Sequence, residues 1–145
     1  MARLFLGLDS STQSLSAIVI DYDARQVVYE HSLSFDKALP HYQTQNGVLP
    51  NADPLVKHSL PLMWAESLDL MFAQMRKDGV ALRDVLAVSG SGQQHGSVYL
   101  KADGRSLARP TSPIWMDSST SAECSEIREK LGGVAATAEA TGSDT

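Results

Sequence analysis

The chain has 145 residues and a formal net charge of −5 at pH 7, with 43% hydrophobic residues. This length ordinarily forms one domain that buries roughly 70% of the unfolded surface, and the composition excludes a disordered chain. Because the chain is acidic, we expect no nucleic-acid partner. The sequence contains no run of about 20 apolar residues, so it predicts no membrane span. A single cysteine, Cys124, excludes a disulfide framework and fits a reducing, cytoplasmic location.

The first 35 residues contain three short apolar segments, and we predict strands over 4–8, 16–21 and 27–35. Polar turns at 9–14 and 22–25 separate them. Because parallel strands need crossovers of about a dozen residues or more, these strands must form an antiparallel meander.

A helix is predicted over 60–78, after a connecting loop at 36–58 without periodicity. Pro61 suits the first turn of that helix, with Ser59 as N-cap. A start near residue 53 would place Pro61 inside the helix, at a cost of about 3 kcal/mol. The apolar positions that carry the helical spacing are Leu60, Met63, Trp64, Leu68, Met71 and Met75.

The second half predicts a strand at 85–89, a loop at 90–96, a small hairpin turning at 102–104 and a strand at 113–116. A helix should follow from 118–120, with Thr120 and Glu123 at capping-box spacing, and a short helix at 134–140. The fold class is therefore α/β, with a mixed sheet built from an antiparallel meander and then crossover helices. That order is the ribonuclease H-like arrangement.

The first candidate site is the turn after Asp9, where hydroxyl side chains follow an acid at the end of a buried strand. Backbone amides and hydroxyls of such a turn can hold phosphate oxygens, and the carboxylate can hold Mg²⁺. The alternative is a polar turn in which Asp9 binds its own amides.

The second candidate is the loop at 90–96. Its G-x-G-x-x-x-G spacing and the extended segment after it exclude a dinucleotide fingerprint, and Ser91 does not stand in G-x-S-x-G. Gln93, Gln94 and His95 suit hydrogen bonding to a polyol. Alternatively, these side chains cap local backbone.

Trp115 and Asp117 form the third candidate, an apolar platform beside a polar clamp. The alternative is a core tryptophan, with Asp117 favoured by the helix dipole.

Three segments together resemble the FGGY carbohydrate kinases, specifically the xylulokinase branch: LFLGLDSSTQSLSAIVID, VSGSGQQHGSVYL and SPIWMDSSTSAEC. The resemblance implies a first domain of the actin-like ATPase superfamily. It implies that Asp9 is a catalytic residue whose carboxylate holds Mg²⁺, and that Ser11, Thr12, Gln13 and Ser14 line the ATP phosphates. It also implies substrate contacts by Gln94, His95, Trp115 and Asp117. Ser11 stands where many relatives have glycine.

The implied reaction is phosphoryl transfer from MgATP to the terminal hydroxyl of the ketose D-xylulose. The family's base lies in a Gly-Gly-Asp-Asn segment, which this sequence lacks, and its adenosine motifs lie in a second domain. We therefore expect residues 1–145 to be an N-terminal part of the first domain, inactive alone, with the rest absent. Self-association through the surface left by the missing half is also expected.

Two other functions stay open. One is a non-catalytic sugar-binding or actin-like module of the same fold. The other, ranked last, is a ribonuclease H-type nuclease, which needs several carboxylates for two metal ions.

Overall fold

The computed structural model describes residues 3–143. Its strands are β1 (Leu4–Ser10), β2 (Ser14–Asp21), β3 (Gln26–Ser34), β4 (His58–Ser59), β5 (Val85–Gly92) and β6 (Ser112–Pro113). Its helices are α1 (Phe35–Ala38), α2 (Pro61–Lys77), α3 (Ser121–Lys130) and α4 (Val134–Thr141). Within residues 3–143, none of the helices has the length and apolar character that crossing a bilayer requires.

The main sheet has four strands in the order β3-β2-β1-β5. β1, β2 and β3 are antiparallel neighbours, and β5 runs parallel to β1. The predicted meander is confirmed. α2 lies in the crossover between β3 and β5, so the α/β mixed sheet is confirmed as well.

The core lies between one face of the meander and α2. Alternate residues of β1 and β2, such as Leu6 and Val19, are buried there against Met63 and Met71 of α2. The alternation follows from the strand period of two, which sends successive side chains to opposite faces. On the other face, Phe5 and Ile20 are exposed.

The predicted start of α2 is confirmed, but its predicted cap is wrong. Pro61 is the first helical residue, and the N-cap is Leu60 without a side-chain hydrogen bond. Ser59 instead belongs to β4, where its hydroxyl donates to the carbonyl oxygen of Gly47 at 2.8 Å. Leucine has no side-chain acceptor for the N–H groups of the first turn, and the Met63 N–H donates to the Leu60 carbonyl oxygen at 3.0 Å instead.

The prediction of a structureless loop at 36–58 is also wrong. The segment contains most of α1, a 3₁₀ turn at Pro40–Tyr42 and the first residue of β4. Phe35 is fully buried. The Asp36 carboxylate accepts hydrogen bonds from the Thr44 hydroxyl at 2.7 Å and from the backbone N–H groups of Asn46 and Gly47 at 2.5 and 3.0 Å. These tertiary contacts, and not local periodicity, order the segment.

Three predictions in the second half need correction. β5 continues to Gly92, because its backbone pairs with β1 as far as Ser10. Residues 97–100 form no strand, although their end belongs to a short hairpin, in which Leu100 bridges Leu107 and the Ala108 N–H donates to the Tyr99 carbonyl oxygen at 2.8 Å. The strand predicted at 113–116 is the two-residue β6, which pairs with β4 in a separate small sheet.

The last two helices form near their predicted positions. Thr120 is the N-cap of α3 but makes no side-chain cap hydrogen bond, so the capping box is absent. Ile127 and Leu131 are each 47% exposed, and α3 therefore has no buried apolar stripe. The predicted α4 is confirmed.

Gly47 makes the closest approach between the 36–58 segment and the first turn. Its φ is +76°, and a Cβ built there would lie 1.9 Å from the Thr12 carbonyl oxygen. Both the left-handed backbone and the contact require glycine. The segment therefore packs against the turn that follows β1.

Substituting Gly47→Ala should lower the free energy of unfolding more than Gly79→Ala does. Gly79 has a similar φ of +82°, but no atom lies within 4 Å of the position that a Cβ would occupy there. Gly79→Ala should therefore cost only the left-handed conformation, about 1–2 kcal/mol. Gly47→Ala should cost roughly 1–3 kcal/mol more for the clash. Urea unfolding measures both, and equal losses would contradict the contact.

Candidate active site

The pairing of β1 with β5 brings two loops to one edge of the sheet. Asp9 lies opposite Ser91, and Ser10 lies opposite Gly92. The backbone N–H of Gln93 then donates to the Ser10 carbonyl oxygen at 2.9 Å. The turn at 11–13 and the loop at 93–96 therefore start side by side, although about eighty residues separate them in sequence.

Asp9 points to the open side of this edge. Its side chain is exposed, and its carboxylate Oδ1 accepts a hydrogen bond from the Ser91 hydroxyl. The Asp9 carboxylate therefore binds a hydroxyl of β5, and the alternative, in which it binds the amides of its own turn, is wrong. Ser91 was missed as a partner, because only the strand register puts it there.

The turn at 11–13 is closed by its own serines. The backbone N–H of Ser11 donates to the Ser14 carbonyl oxygen at 2.9 Å, and the two hydroxyl oxygens lie 3.1 Å apart. On the far side, the Phe35 backbone N–H donates to the Gln13 carbonyl oxygen at 2.9 Å. The turn is thus held at both ends before any ligand binds.

A cleft of about 400 Å³ lies between the turn and the loop. It brings together six of the nine residues to which the family resemblance gives a role, together with Gln93, a polyol-binding candidate on residue type alone, and Gly92. The six are Asp9, Ser11, Thr12, Gln94, His95 and Trp115.

Trp115 closes one side of this cleft. Its indole Nε1 donates to the Thr12 hydroxyl oxygen at 2.9 Å, and its side chain is 57% exposed. The alternative of a core tryptophan is therefore wrong. His95, which also lines the cleft, adopts a φ of +60°, a left-handed conformation that costs a non-glycine residue about 1–2 kcal/mol.

Three predicted residues lie outside the cleft. Gln13 lines a neighbouring cleft of about 360 Å³, which it shares with Thr12 and Trp115. Ser14 closes the turn. Asp117 follows Trp115 by two residues in the chain.

The Asp117 carboxylate is already engaged by the protein. Its side chain is 7% exposed, and it accepts hydrogen bonds from the Lys57 backbone N–H at 2.7 Å and the Ser119 hydroxyl at 2.6 Å. His58 Nε2 lies 3.5 Å away. Burial favours the neutral acid, but the hydrogen bonds from Ser119 and Lys57 and the nearby His58 outweigh it, so the pKa of Asp117 lies below its usual value.

The residues at the cleft fit a magnesium ion that is bound with a phosphate. Residues 3–143 hold no cluster of three or more His, Cys, Asp or Glu side chains suited to a metal. Mg²⁺, however, usually takes only one or two protein carboxylates, together with waters and phosphate oxygens. Asp9 supplies one exposed carboxylate beside the hydroxyl turn.

Comparison with known proteins gives matches along nearly the whole chain. The xylulose kinase of Mus musculus is 41% identical over an alignment that covers 97% of this chain and 29% of that enzyme. The xylulose kinase of Saccharomyces cerevisiae is 38% identical and is covered to 26%. The crystal structure of xylulose kinase from Rhodospirillum rubrum superposes with a TM-score of 0.72 at 21% identity, covering 94% of this chain and 25% of that one. No protein-family model matches the chain.

The fold is that of the FGGY sugar kinases, with the actin-like ATPase architecture, and the chain is a homologue of these enzymes. Within them, its homologues are the xylulose kinases, at 36–41% identity over 97% of this chain. The chain spans about 29% of the length of these curated relatives. These relatives are kinases of the sugar xylulose.

Asp117→Asn should make the protein less stable at neutral pH by about 1–3 kcal/mol. The N–H and O–H groups that donate to the carboxylate would lose one of its two acceptor oxygens. A lowered pKa in the fold stabilises the protein at pH values above the unfolded pKa, and this contribution disappears as pH falls through the folded pKa. The stability difference between wild type and variant should therefore shrink below about pH 4.

Denaturant unfolding between pH 7 and pH 2.5 measures this difference. Asp69→Asn, at an exposed carboxylate on α2, is the matched control and should change stability little at either pH. A constant difference between wild type and Asp117→Asn across this range would contradict the assignment.

Proposed function

We propose that this chain forms the sugar loop and the first phosphate turn of a kinase that converts D-xylulose and ATP to D-xylulose 5-phosphate and ADP. The observation that carries the proposal is the single cleft in which Asp9, the hydroxyl turn and the Gln94–His95 loop meet. The similarity to xylulose kinases supports the ketose as substrate. A cytoplasmic location belongs to the same proposal.

Each side of the cleft has its own part in this proposal. Asp9 would hold Mg²⁺, which neutralises phosphate charge during transfer. Ser11, Thr12, Gln13 and Ser14 would line the ATP phosphates through hydroxyl, amide and backbone donors. Gln94 and His95 would hydrogen-bond the hydroxyls of the ketose, with the Trp115 ring as an apolar wall and Asp117 behind it.

The Ser91 hydroxyl gives Asp9 a fixed orientation. By donating to Oδ1, it restrains the carboxylate, and the second carboxylate oxygen can still bind a cation. Catalysis of phosphoryl transfer depends mainly on positioning and on charge stabilisation. A carboxylate with a fixed rotamer contributes to both.

Phosphoryl transfer needs a base that accepts the proton of the sugar hydroxyl, and the proposal assigns no residue of this cleft to that role. Among the described residues that line the cleft, Asp9 is the carboxylate, and it is assigned to the cation. Asp117 is engaged by Lys57 and Ser119. We therefore propose that the catalytic base lies in a later part of the enzyme and that residues 1–145 correspond to an N-terminal part of the first domain.

Because the cleft contains one carboxylate, a second candidate function stays open: a sugar-binding module of this fold without catalysis. A cleft with one carboxylate can bind a polyol without transferring a phosphoryl group to it. It also argues against a two-metal nuclease, which gathers several carboxylates.

The purified 145-residue chain should not phosphorylate D-xylulose, because the proposal places the base for the sugar hydroxyl in a later part of the enzyme. A coupled assay for ADP formation, with ATP, Mg²⁺ and D-xylulose, measures this, and turnover above the uncatalysed background would contradict it. Supplying the rest of a homologous xylulose kinase as a second polypeptide should produce activity. Sugar binding without any activity in that mixture would favour the non-catalytic module.

Asp9→Asn should prevent a metal ion from binding beside the turn at 11–13. With ADP and Mn²⁺ in place of Mg²⁺, paramagnetic broadening should affect the amide signals of residues 11–14 in the wild-type chain and disappear in the variant. Ser91→Ala should give an intermediate result, because the carboxylate remains but loses its fixed orientation. Asp69→Asn should broaden as wild type does, and unchanged broadening in Asp9→Asn would contradict the assignment.

A further inference from the structure

The His58 imidazole contacts both ends of the segment that carries Trp115. Its Nδ1 lies 3.0 Å from the Thr111 hydroxyl oxygen, and its Nε2 lies 3.5 Å from Asp117 Oδ2. In the chain, Thr111 precedes Trp115 by four residues, and Asp117 follows it by two. One imidazole ring therefore bridges the two ends of the segment 111–117.

The two partners of the ring suit its two nitrogens. A carboxylate can only accept hydrogen bonds, whereas a hydroxyl can donate or accept. In the neutral ring, the charge of Asp117 favours the tautomer with its proton on Nε2, and Nδ1 then accepts the hydroxyl proton of Thr111. In the protonated ring, Nδ1–H donates to the hydroxyl oxygen, and Nε2–H still faces the carboxylate. Both protonation states of the ring preserve the bridge.

The bridge is partly shielded from water. The Asp117 side chain is nearly buried, and that of His58 is 31% exposed. An interaction between polar or charged groups is stronger where water is excluded. Removing the imidazole would leave the nearly buried carboxylate with less to compensate its charge, so we expect the segment to adjust around Asp117.

The position of Trp115 depends on the backbone of this segment. Its side chain is exposed, so core packing does not fix it. The preceding residue, Ile114, is buried, and its backbone N–H donates to the Lys57 carbonyl oxygen at 3.0 Å. Asp117 anchors the segment on the other side of Trp115. Between these two anchors, the indole Nε1 reaches the Thr12 hydroxyl oxygen at 2.9 Å.

We propose that His58 is a positioning residue for the cleft. By joining the two ends of the segment 111–117, it fixes the backbone shape that brings the Trp115 indole to Thr12. His58 is not among the described residues that line the cleft, so it acts through Trp115. This role concerns the shape of the cleft and holds whether or not the chain transfers phosphate. Its consequence for sugar binding rests on the proposed function.

NMR of the Trp115 indole proton tests the proposal. The chain has two tryptophans, and Trp115→Phe identifies the signal that disappears. In the wild-type chain, this proton should show a cross-peak to the Thr12 methyl protons. His58→Leu removes both ring nitrogens. It should weaken that cross-peak and make the indole proton exchange with solvent about tenfold faster, which corresponds to roughly 1.4 kcal/mol.

Two conservative variants separate positioning from general packing. His58→Gln keeps an amide N–H that can reach Asp117, and it should restore part of the protection. Thr111→Val keeps the side-chain shape but lacks the hydroxyl, and exchange should be about threefold faster, as the loss of one hydrogen bond predicts. Combining Thr111→Val with His58→Leu should add little, because the two residues share one interaction.

His41→Leu is the matched control. His41 Nε2 also lies close to a carboxylate, at 3.2 Å from Glu66 Oε2, but neither residue belongs to the segment 111–117. This variant should leave the exchange rate of the Trp115 indole proton unchanged. Urea unfolding of the variants, measured alongside, separates a loss of overall stability from a change at the indole.

Sugar binding is a separate arm of the experiment. If the cleft binds D-xylulose, His58→Leu should raise the dissociation constant about tenfold, and His41→Leu should leave it unchanged. If the wild-type chain does not bind D-xylulose, the proposed function fails, and the indole measurements still decide the role of His58.

Unchanged indole exchange with an unchanged Thr12 cross-peak in folded His58→Leu would overturn the proposal. Equal acceleration in His41→Leu would do so as well, because the effect would then not depend on the bridge. If His58→Leu does not fold, Thr111→Val decides the matter, and wild-type exchange in that variant would count against the bridge.

Discussion

The parallel pairing of β1 with β5 is the contact on which the site depends. It aligns Asp9 with Ser91 and Ser10 with Gly92, so that the chain leaves both strands at the same edge of the sheet. The turn at 11–13 supplies hydroxyls, and the loop at 93–96 supplies amides and an imidazole. A shift of one residue in this register would send Asp9 and Ser91 to opposite faces of the sheet, because side chains alternate along a strand.

Stability and function are supplied by different parts of the molecule. The methionine-rich face of α2 and the inner face of the meander form the buried core. The cleft, by contrast, contains an exposed carboxylate and a histidine with a positive φ. The left-handed backbone of His95 costs about 1–2 kcal/mol, which the core must offset. The cleft is held in shape from outside, by Gly47 beneath the turn and by Trp115 across it.

The parts of the fold that follow local rules were predictable. Tight turns required an antiparallel meander, and the position of Pro61 located the start of α2. The segment at 36–58 was not predictable, because the burial of Phe35 and the hydrogen bonds to Asp36 order it, and these contacts come from distant parts of the fold. For the same reason β6 pairs with β4, which no local pattern indicates.

The candidate site shows the same division. Residue types and spacing predicted Asp9, Thr12, His95 and Trp115, which do share a cleft. The role of Ser91 follows only from the strand register, which places it opposite Asp9 and which a sequence does not display. Asp117 had the right chemistry for a sugar contact, yet its oxygens bind Lys57 and Ser119.

The central claim is that two segments distant in sequence form one ligand site. Titrating the ¹⁵N-labelled chain with D-xylulose and following its backbone amide signals tests that claim most directly. The account predicts that the signals of residues 93–96, Thr12 and the Trp115 indole shift together, with a single dissociation constant. Shifts confined to one of the two segments, or to the exposed face of the sheet, would contradict it.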